Sequence, residues 1–327
     1  MPRRKILRTD RPLRILESRL PELERIADVV TAADDREETI AKAAADASLI
    51  LTCYDPVSGR VIDAAPNLAG IVKYGVGVDN IDLAAATRRG ILVANCPAYG
   101  SDTVAEHAFA LLIAVAKKLP KIGRAMEARG WQWPLPELLG VELQGKTAGL
   151  VGLGKIGRSM ARKTLGFGMR TLACDPYVEA NAARELGVTL VGLEELLRAS
   201  DFVSIHCVLT PETRGLLGAR ELAWMKPSAI LVNVSRAGVV DEEPLIAALE
   251  AGRIAGAGLD VFHAEPLDPD YPLLRRENVV LTPHLAWYTE EAFRRCEDQT
   301  FESVVDILEG RIPSNLKNSD VLPLRAR

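Results

Sequence analysis

The sequence predicts two doubly wound α/β domains with parallel sheets, one interrupted by the other. Three observations carry this. Short runs of Val, Ile and Leu alternate with longer segments of helical period, the pattern of strands covered on both faces by crossover helices. A glycine-rich strand–turn–helix stands mid-chain at 146–175, leaving more than a hundred residues ahead of it that need their own core. The length of 327 residues exceeds the size at which single cores usually stop growing.

Along the chain, apolar runs predict strands at 48–52, 71–74, 91–94, 149–151, 171–174, 202–205, 230–232 and 279–282, and another ending near Leu259. The stretch Asn95-Cys-Pro-Ala-Tyr-Gly-Ser-Asp102 reads as a polar seam, with Pro97, Gly100 and an N-cap from Ser101 or Asp102. A helix is expected over 103–118, ended by Pro120. A second over 290–309 closes with Gly310 and Pro313. These two helices join an outer domain, 1–101 and 290–327, to an inner one, 102–289.

A net charge of −4 gives no whole-chain attraction to nucleic acid or to an anionic membrane. The N-terminal basic cluster (Arg3, Arg4, Lys5, Arg8, Arg11, Arg14) is expected to be solvated surface. The longest apolar run, 108–116, is too short to span a bilayer, and no apolar segment follows the N-terminal charges as a signal peptide requires. Five dispersed cysteines without a C-x-x-C pair read as reduced thiols in the cytoplasm, with no metal site.

In Thr147-Ala-Gly-Leu-Val-Gly-Leu-Gly-Lys-Ile-Gly157 a strand runs into Gly152-x-Gly154-x-x-Gly157. Gly152 suits the tight turn, Gly154 the approach of a pyrophosphate, and Gly157 close packing of the next helix, whose first amides face the phosphates. Asp175, eighteen residues past Gly157 at the next strand's end, is placed to accept from ribose hydroxyls and to repel a 2′-phosphate. NAD is therefore favoured over NADP. A flavin can use the same fold, but the residues further along favour nicotinamide.

Hydride transfer to a 2-oxo acid needs a cation for the carboxylate and carbonyl, an acid for the oxygen, and a partner that orients the acid. Arg236, Glu265 and His284 follow successive strands near the chain's end. A guanidinium holds a carboxylate bidentately, and a Glu beside a His favours the charged ring. Singly, each has an ordinary reading as a surface, loop or turn residue; three at successive strand ends after a dinucleotide motif make coincidence much less credible. His263 competes with His284 for Glu265 but is less well placed. His206 reads as structural, and His107, mid-helix, as packed or interdomain.

These stretches resemble the D-2-hydroxyacid dehydrogenase family over nearly the whole chain. The resemblance rests on Tyr74-Gly-Val-Gly-Val-Asp-Asn-Ile-Asp82, Val104-Ala-Glu-His107, 144–157, 233–241, 258–266 and Thr282-Pro-His-Leu-Ala-Trp287. It implies a Rossmann NAD-binding domain inserted in a flavodoxin-like substrate domain, and places the family's catalytic group on Arg236, Glu265 and His284. It implies substrate contact at Tyr74, Gly75 and Val76, with Arg236, His284 and Trp287. It implies NAD contacts from Val76, Gly152, Gly154, Lys155, Ile156, Gly157, Asp175, Cys207, Thr213, Val234, Ser235, Arg236, Asp260, His284 and Trp287. A homodimer is implied too, with 120–141, which holds Trp131 and Trp133, as its arm.

Two departures matter. Ala237 follows Arg236 where relatives commonly have Gly, and Trp287 stands where many have Gly. The Ala-Trp-Tyr stretch resembles the C-terminal-binding-protein branch, which includes corepressors, and Trp287 would wall the pocket for a substrate with apolar bulk. Glu265 stands where the related formate dehydrogenases carry an amide, which speaks against that activity. The sequence thus predicts an NAD-dependent D-2-hydroxyacid dehydrogenase; the alternatives are an NAD(H)-sensing corepressor-like binding protein and a structural subunit with a vestigial site.

Overall fold

Parallel strands bury both faces, and in this chain they do so in two separate sheets. A computed structural model describes residues 3–10, 13 and 15–325. The described residues form β1 (Lys5–Arg8), β2 (Asp28–Thr31), β3 (Leu49–Thr52), β4 (Gly70–Lys73) and β5 (Leu92–Ala94) in one sheet, ordered β2-β1-β3-β4-β5. They form β6 (Thr147–Val151), β7 (Arg170–Cys174), β8 (Thr189–Leu190), β9 (Phe202–Ile205), β10 (Ile230–Asn233), β11 (Gly256–Leu259) and β12 (Val279–Leu281) in the other, ordered β12-β11-β10-β9-β6-β7-β8. Every ladder is parallel. The first order is that of flavodoxin; the second is the Rossmann order with one further strand at its edge.

The chain divides into two compact units, 1–100 with 289–327, and 101–288. In the first, Leu7, Ile50, Ile71 and Val93 carry the core from strand to strand and pack on Ile40, Val61 and Ala86. In the second, alternate residues of the sheet feed two cores, as the pleat requires. Leu150, Phe202, Ile230 and Val232 pack on Ala108, Leu112 and Met160 on one face; Val151, Val203, Ile205 and Leu231 pack on Leu197, Leu222 and Leu249 on the other.

Several boundaries differ from expectation. β1 lies between Lys5 and Arg8, β2 begins at Asp28 and β8 is two residues long with one apolar side chain, so none stands out as an apolar run. The helix Ser101–Ala116 starts early, so Ser101 and Asp102 lie in its first turn instead of capping it, and Asp102 accepts from Ser159 Oγ and Arg162. Pro120 does not simply end this helix; it opens the next, Leu119–Arg129, where a missing amide costs nothing. The helix Glu290–Leu308 is capped by the Thr289 side chain, which accepts from Ala292 N. Arg3, Lys5 and Arg8 of the basic cluster pair with Asp28, Asp46 and Glu17, whereas Arg11 and Arg14 lie outside the described residues, as do residues 1, 2, 326 and 327 of the expected outer domain. Among the described residues no helix is long and apolar enough to cross a membrane.

Leu150 is fully buried at the centre of the larger sheet. Leu150→Ala is expected to destabilise the protein by about 2–5 kcal/mol, read as a lower denaturant midpoint; an unchanged midpoint would contradict this packing.

Candidate active site

The glycine turn lies where the larger sheet reverses its strand order, between the carboxyl ends of β6 and β9, the usual ligand position in such sheets. Gly152 has φ +98°, and a Cβ there would meet Cys207 N at 2.6 Å; a Cβ on Gly157 would meet Gly152 O at 2.2 Å. A Cβ on Gly154 would meet nothing within 4 Å. The turn is thus closed against protein on two sides and open on the third, where the helix Lys155–Gly166 begins with exposed Lys155 and half-buried Ile156. That cradle fits a dinucleotide's pyrophosphate.

Asp175 Oδ2 accepts from Leu153 N at 2.7 Å and Oδ1 from Tyr177 N at 2.9 Å. The carboxylate pins the glycine turn and retains lone pairs for ribose hydroxyls. Cys207 packs its backbone on Gly152, and Thr213 closes the following turn by accepting from Thr210 N at 2.8 Å and donating to Val208 O at 2.6 Å.

Past β10, β11 and β12 the larger unit brings three of the expected side chains together. His284 Nδ1 is 2.7 Å from Glu265 Oε2, and Phe262 N donates to Glu265 Oε1 at 2.9 Å. Burial pushes the Glu265 pKa up, but the His284 hydrogen bond and charge, the Phe262 amide and the Arg236 charge together take it below the ordinary value. Glu265 is therefore a carboxylate at neutral pH and can only accept, so Nδ1 of His284 carries a proton and Nε2 is the ring's outward nitrogen. His263, the competing imidazole, is exposed and bonds Val240 O at 3.0 Å through Nε2.

His284 has φ +56°, an uncommon conformation for a residue with a Cβ. Its neighbours explain how it is held. The fully buried Asp260 accepts from Thr282 Oγ1 at 2.6 Å, Leu285 N at 2.9 Å and Ala286 N at 2.9 Å, bracketing His284 from both sides. Beyond them Trp287 is buried, its ring edge-on to Tyr288 at 5.1 Å.

The Arg236 loop is shaped by Asn233, which the sequence reading missed. Its amide donates to Arg236 O at 3.0 Å, and its oxygen accepts from Ser235 N and Ser235 Oγ, each at 3.0 Å. An Asn two residues before a Ser at a strand end was the available signal, since such side chains commonly bond the backbone two residues on. Val234 is buried beside this loop. Tyr74, Gly75 and Val76 belong to the other unit, directly after β4: Tyr74 is buried, Gly75 has φ +147° and Val76 is exposed.

The family model for the NAD binding domain of D-isomer specific 2-hydroxyacid dehydrogenases matches residues 109–286, more than half of the chain. The chain belongs to this family. A glyoxylate reductase of Korarchaeum cryptofilum is 45% identical over 280 residues, covering 85% of this chain and 84% of the relative. A D-3-phosphoglycerate dehydrogenase of Archaeoglobus fulgidus is 41% identical over 86% of this chain, which spans only 53% of that relative. A D-lactate dehydrogenase from Aquifex aeolicus, solved with NAD and lactic acid, superposes with TM-score 0.88 at 30% identity, covering 96% of this chain and 99% of that one. This 2-hydroxyacid dehydrogenase is accordingly an NAD-dependent oxidoreductase of D-2-hydroxy acids and their 2-oxo partners. A corepressor-like reading is not favoured, because these relatives are reductases and dehydrogenases.

His206 ends β9 beside the glycine turn of the dehydrogenase, with both ring nitrogens buried and no hydrogen-bond partner among the described residues. Burial lowers its pKa from 6.5 to about 3. The unfolded chain then binds a proton between those values that the folded one does not. The stability from keeping the ring neutral is complete above about pH 6.5 and is lost as the pH falls towards about 3. Replacing His206 by Leu is expected to flatten the fall of unfolding free energy near pH 5 by about 1.4 kcal/mol per pH unit. An unchanged slope would contradict the burial.

Proposed function

We propose that Arg236, Glu265 and His284 are the catalytic group of this dehydrogenase, and that it reduces a 2-oxo acid to the D-2-hydroxy acid. The observation that carries this is the 2.7 Å pairing of His284 with Glu265, within range of the Arg236 charge. NADH, when bound, supplies the hydride. Arg236 grips the substrate carboxylate and polarises the carbonyl through its planar fork. His284 presents Nε2 as the donor to the carbonyl oxygen while Nδ1–H stays on Glu265. Asp260 holds His284 in place, and Asn233 does the same for Arg236.

The inner domain, 102–289, is assigned to NAD, with the contacts named from the sequence; the outer one, 1–101 and 290–327, is assigned to substrate through Tyr74, Gly75 and Val76. Asp175 supports NAD over NADP, because its charge repels a 2′-phosphate. Trp287 as a pocket wall supports a substrate with apolar bulk, and the relatives' names support small 2-oxo acids. A homodimer through 120–141 is supported by Trp131, Trp133 and Leu139, which are 74–75% exposed. A cytoplasmic setting is supported by five free thiols.

The test is NADH oxidation with a panel of 2-oxo acids of increasing side-chain size. Turnover is expected, and His284→Asn should lower kcat/KM by roughly 100- to 10,000-fold, the usual contribution of a positioned acid. Tight NADH binding without turnover of any panel member would sink the proposal.

A further inference from the structure

The helix Ser101–Ala116 crosses the larger sheet, and Leu111 packs on β11, where a Cβ on Gly258 would come within 2.8 Å of Leu111 Cβ. One turn earlier on the same face is His107, whose Nε2 is 2.9 Å from Thr282 Oγ1 and 3.6 Å from Asp260 Oδ1. Asp260 accepts from two backbone amides, so the hydroxyl that lies 2.6 Å from it donates its only hydrogen there. Thr282 Oγ1 is then left as an acceptor towards His107, and Nε2 of His107 must be the protonated nitrogen.

The chain of donors therefore runs from His107 Nε2–H to Thr282 Oγ–H to the Asp260 carboxylate. That carboxylate also takes the amides of Leu285 and Ala286. These bonds grip both sides of His284, the residue held at φ +56°. Such a backbone conformation persists only where its surroundings over-determine it.

We infer that His107 is a positioning residue for the reaction: through Thr282 and Asp260 it fixes the turn that aims His284 at its substrate. This rests on the assignment of His284 as the proton donor. It gives the chain two imidazole–carboxylate pairs with different tasks. His284–Glu265 handles the proton, and His107 with Asp260 sets where that proton is held. His107 touches neither Glu265 nor Arg236 in any hydrogen bond found among the described residues, so its effect must pass through the turn.

Three variants test this: His107→Leu, which keeps bulk and loses the donor; His107→Gln, whose amide can reach the same hydroxyl; and Thr282→Val, which cuts the link from the other side. The full-length protein is assayed for kcat, KM for the 2-oxo acid, NADH binding by fluorescence, and thermal midpoint. His107→Leu and Thr282→Val are expected to lower kcat by roughly 10- to 100-fold, as small misplacements of a reacting group do, with NADH affinity nearly unchanged. His107→Gln should restore most of kcat. A full kcat in His107→Leu overturns the inference, and so does a loss that His107→Gln fails to rescue or that falls on NADH binding instead of kcat. His284→Asn, assayed alongside, separates the two levels. If it stays active, the donor assignment has failed; if it is inactive while His107→Leu is fully active, only the inference about His107 has failed.

Discussion

The arrangement depends on one hydrogen bond between a histidine and a carboxylate at the carboxyl edge of a parallel sheet. Glu265 takes Nδ1 of His284, and with that the ring's orientation and the identity of its outward nitrogen are settled. The bond would be of little use on a mobile loop. It is effective because each partner is also fixed by backbone: Glu265 accepts the Phe262 amide, and His284 sits between residues tied to a fully buried Asp260. Burial opposes charge on Glu265, and three nearby donors and cations overcome it.

The rest of the larger unit supplies the platform. Parallel strands end on one side of their sheet, so residues far apart in sequence, after β10, β11 and β12, arrive at a common edge. The glycine turn after β6 opens at that edge too. The strands themselves are buried between two apolar layers, which makes the edge rigid enough for hydrogen-bond geometry to matter. Rigidity in the sheet and specificity in the loops are thus divided between different residues.

How much of this was legible in the sequence varies with the kind of constraint. The glycine turn was readable because backbone approach excludes any other side chain, as the Cβ positions at Gly152 and Gly157 show. The long apolar strands were readable for a similar reason, burial on both faces. β1 and β2 were not, since polar or charged ends leave only two apolar residues in each, and β8 is just Thr189–Leu190. His284 reads as better placed than His263 because it follows a strand end, and in the structure Glu265 bonds His284 whereas His263 turns to Val240. Asn233 left only a local signal, its place two residues before Ser235. The chain from His107 to Asp260 was illegible: its members are neighbours only after a helix from residue 101 crosses strands that begin more than a hundred residues later.

Glu265 holds His284 by Nδ1–H and leaves Nε2 as the outward nitrogen. Nitrogen-15 NMR of the imidazoles reads this directly, and with four histidines in the chain a His284→Asn difference spectrum assigns the signal. Neutral His284 is expected to carry its proton on Nδ1, and Glu265→Gln to erase this preference. A ring protonated on Nε2 in the intact protein, or one indifferent to Glu265, would contradict it.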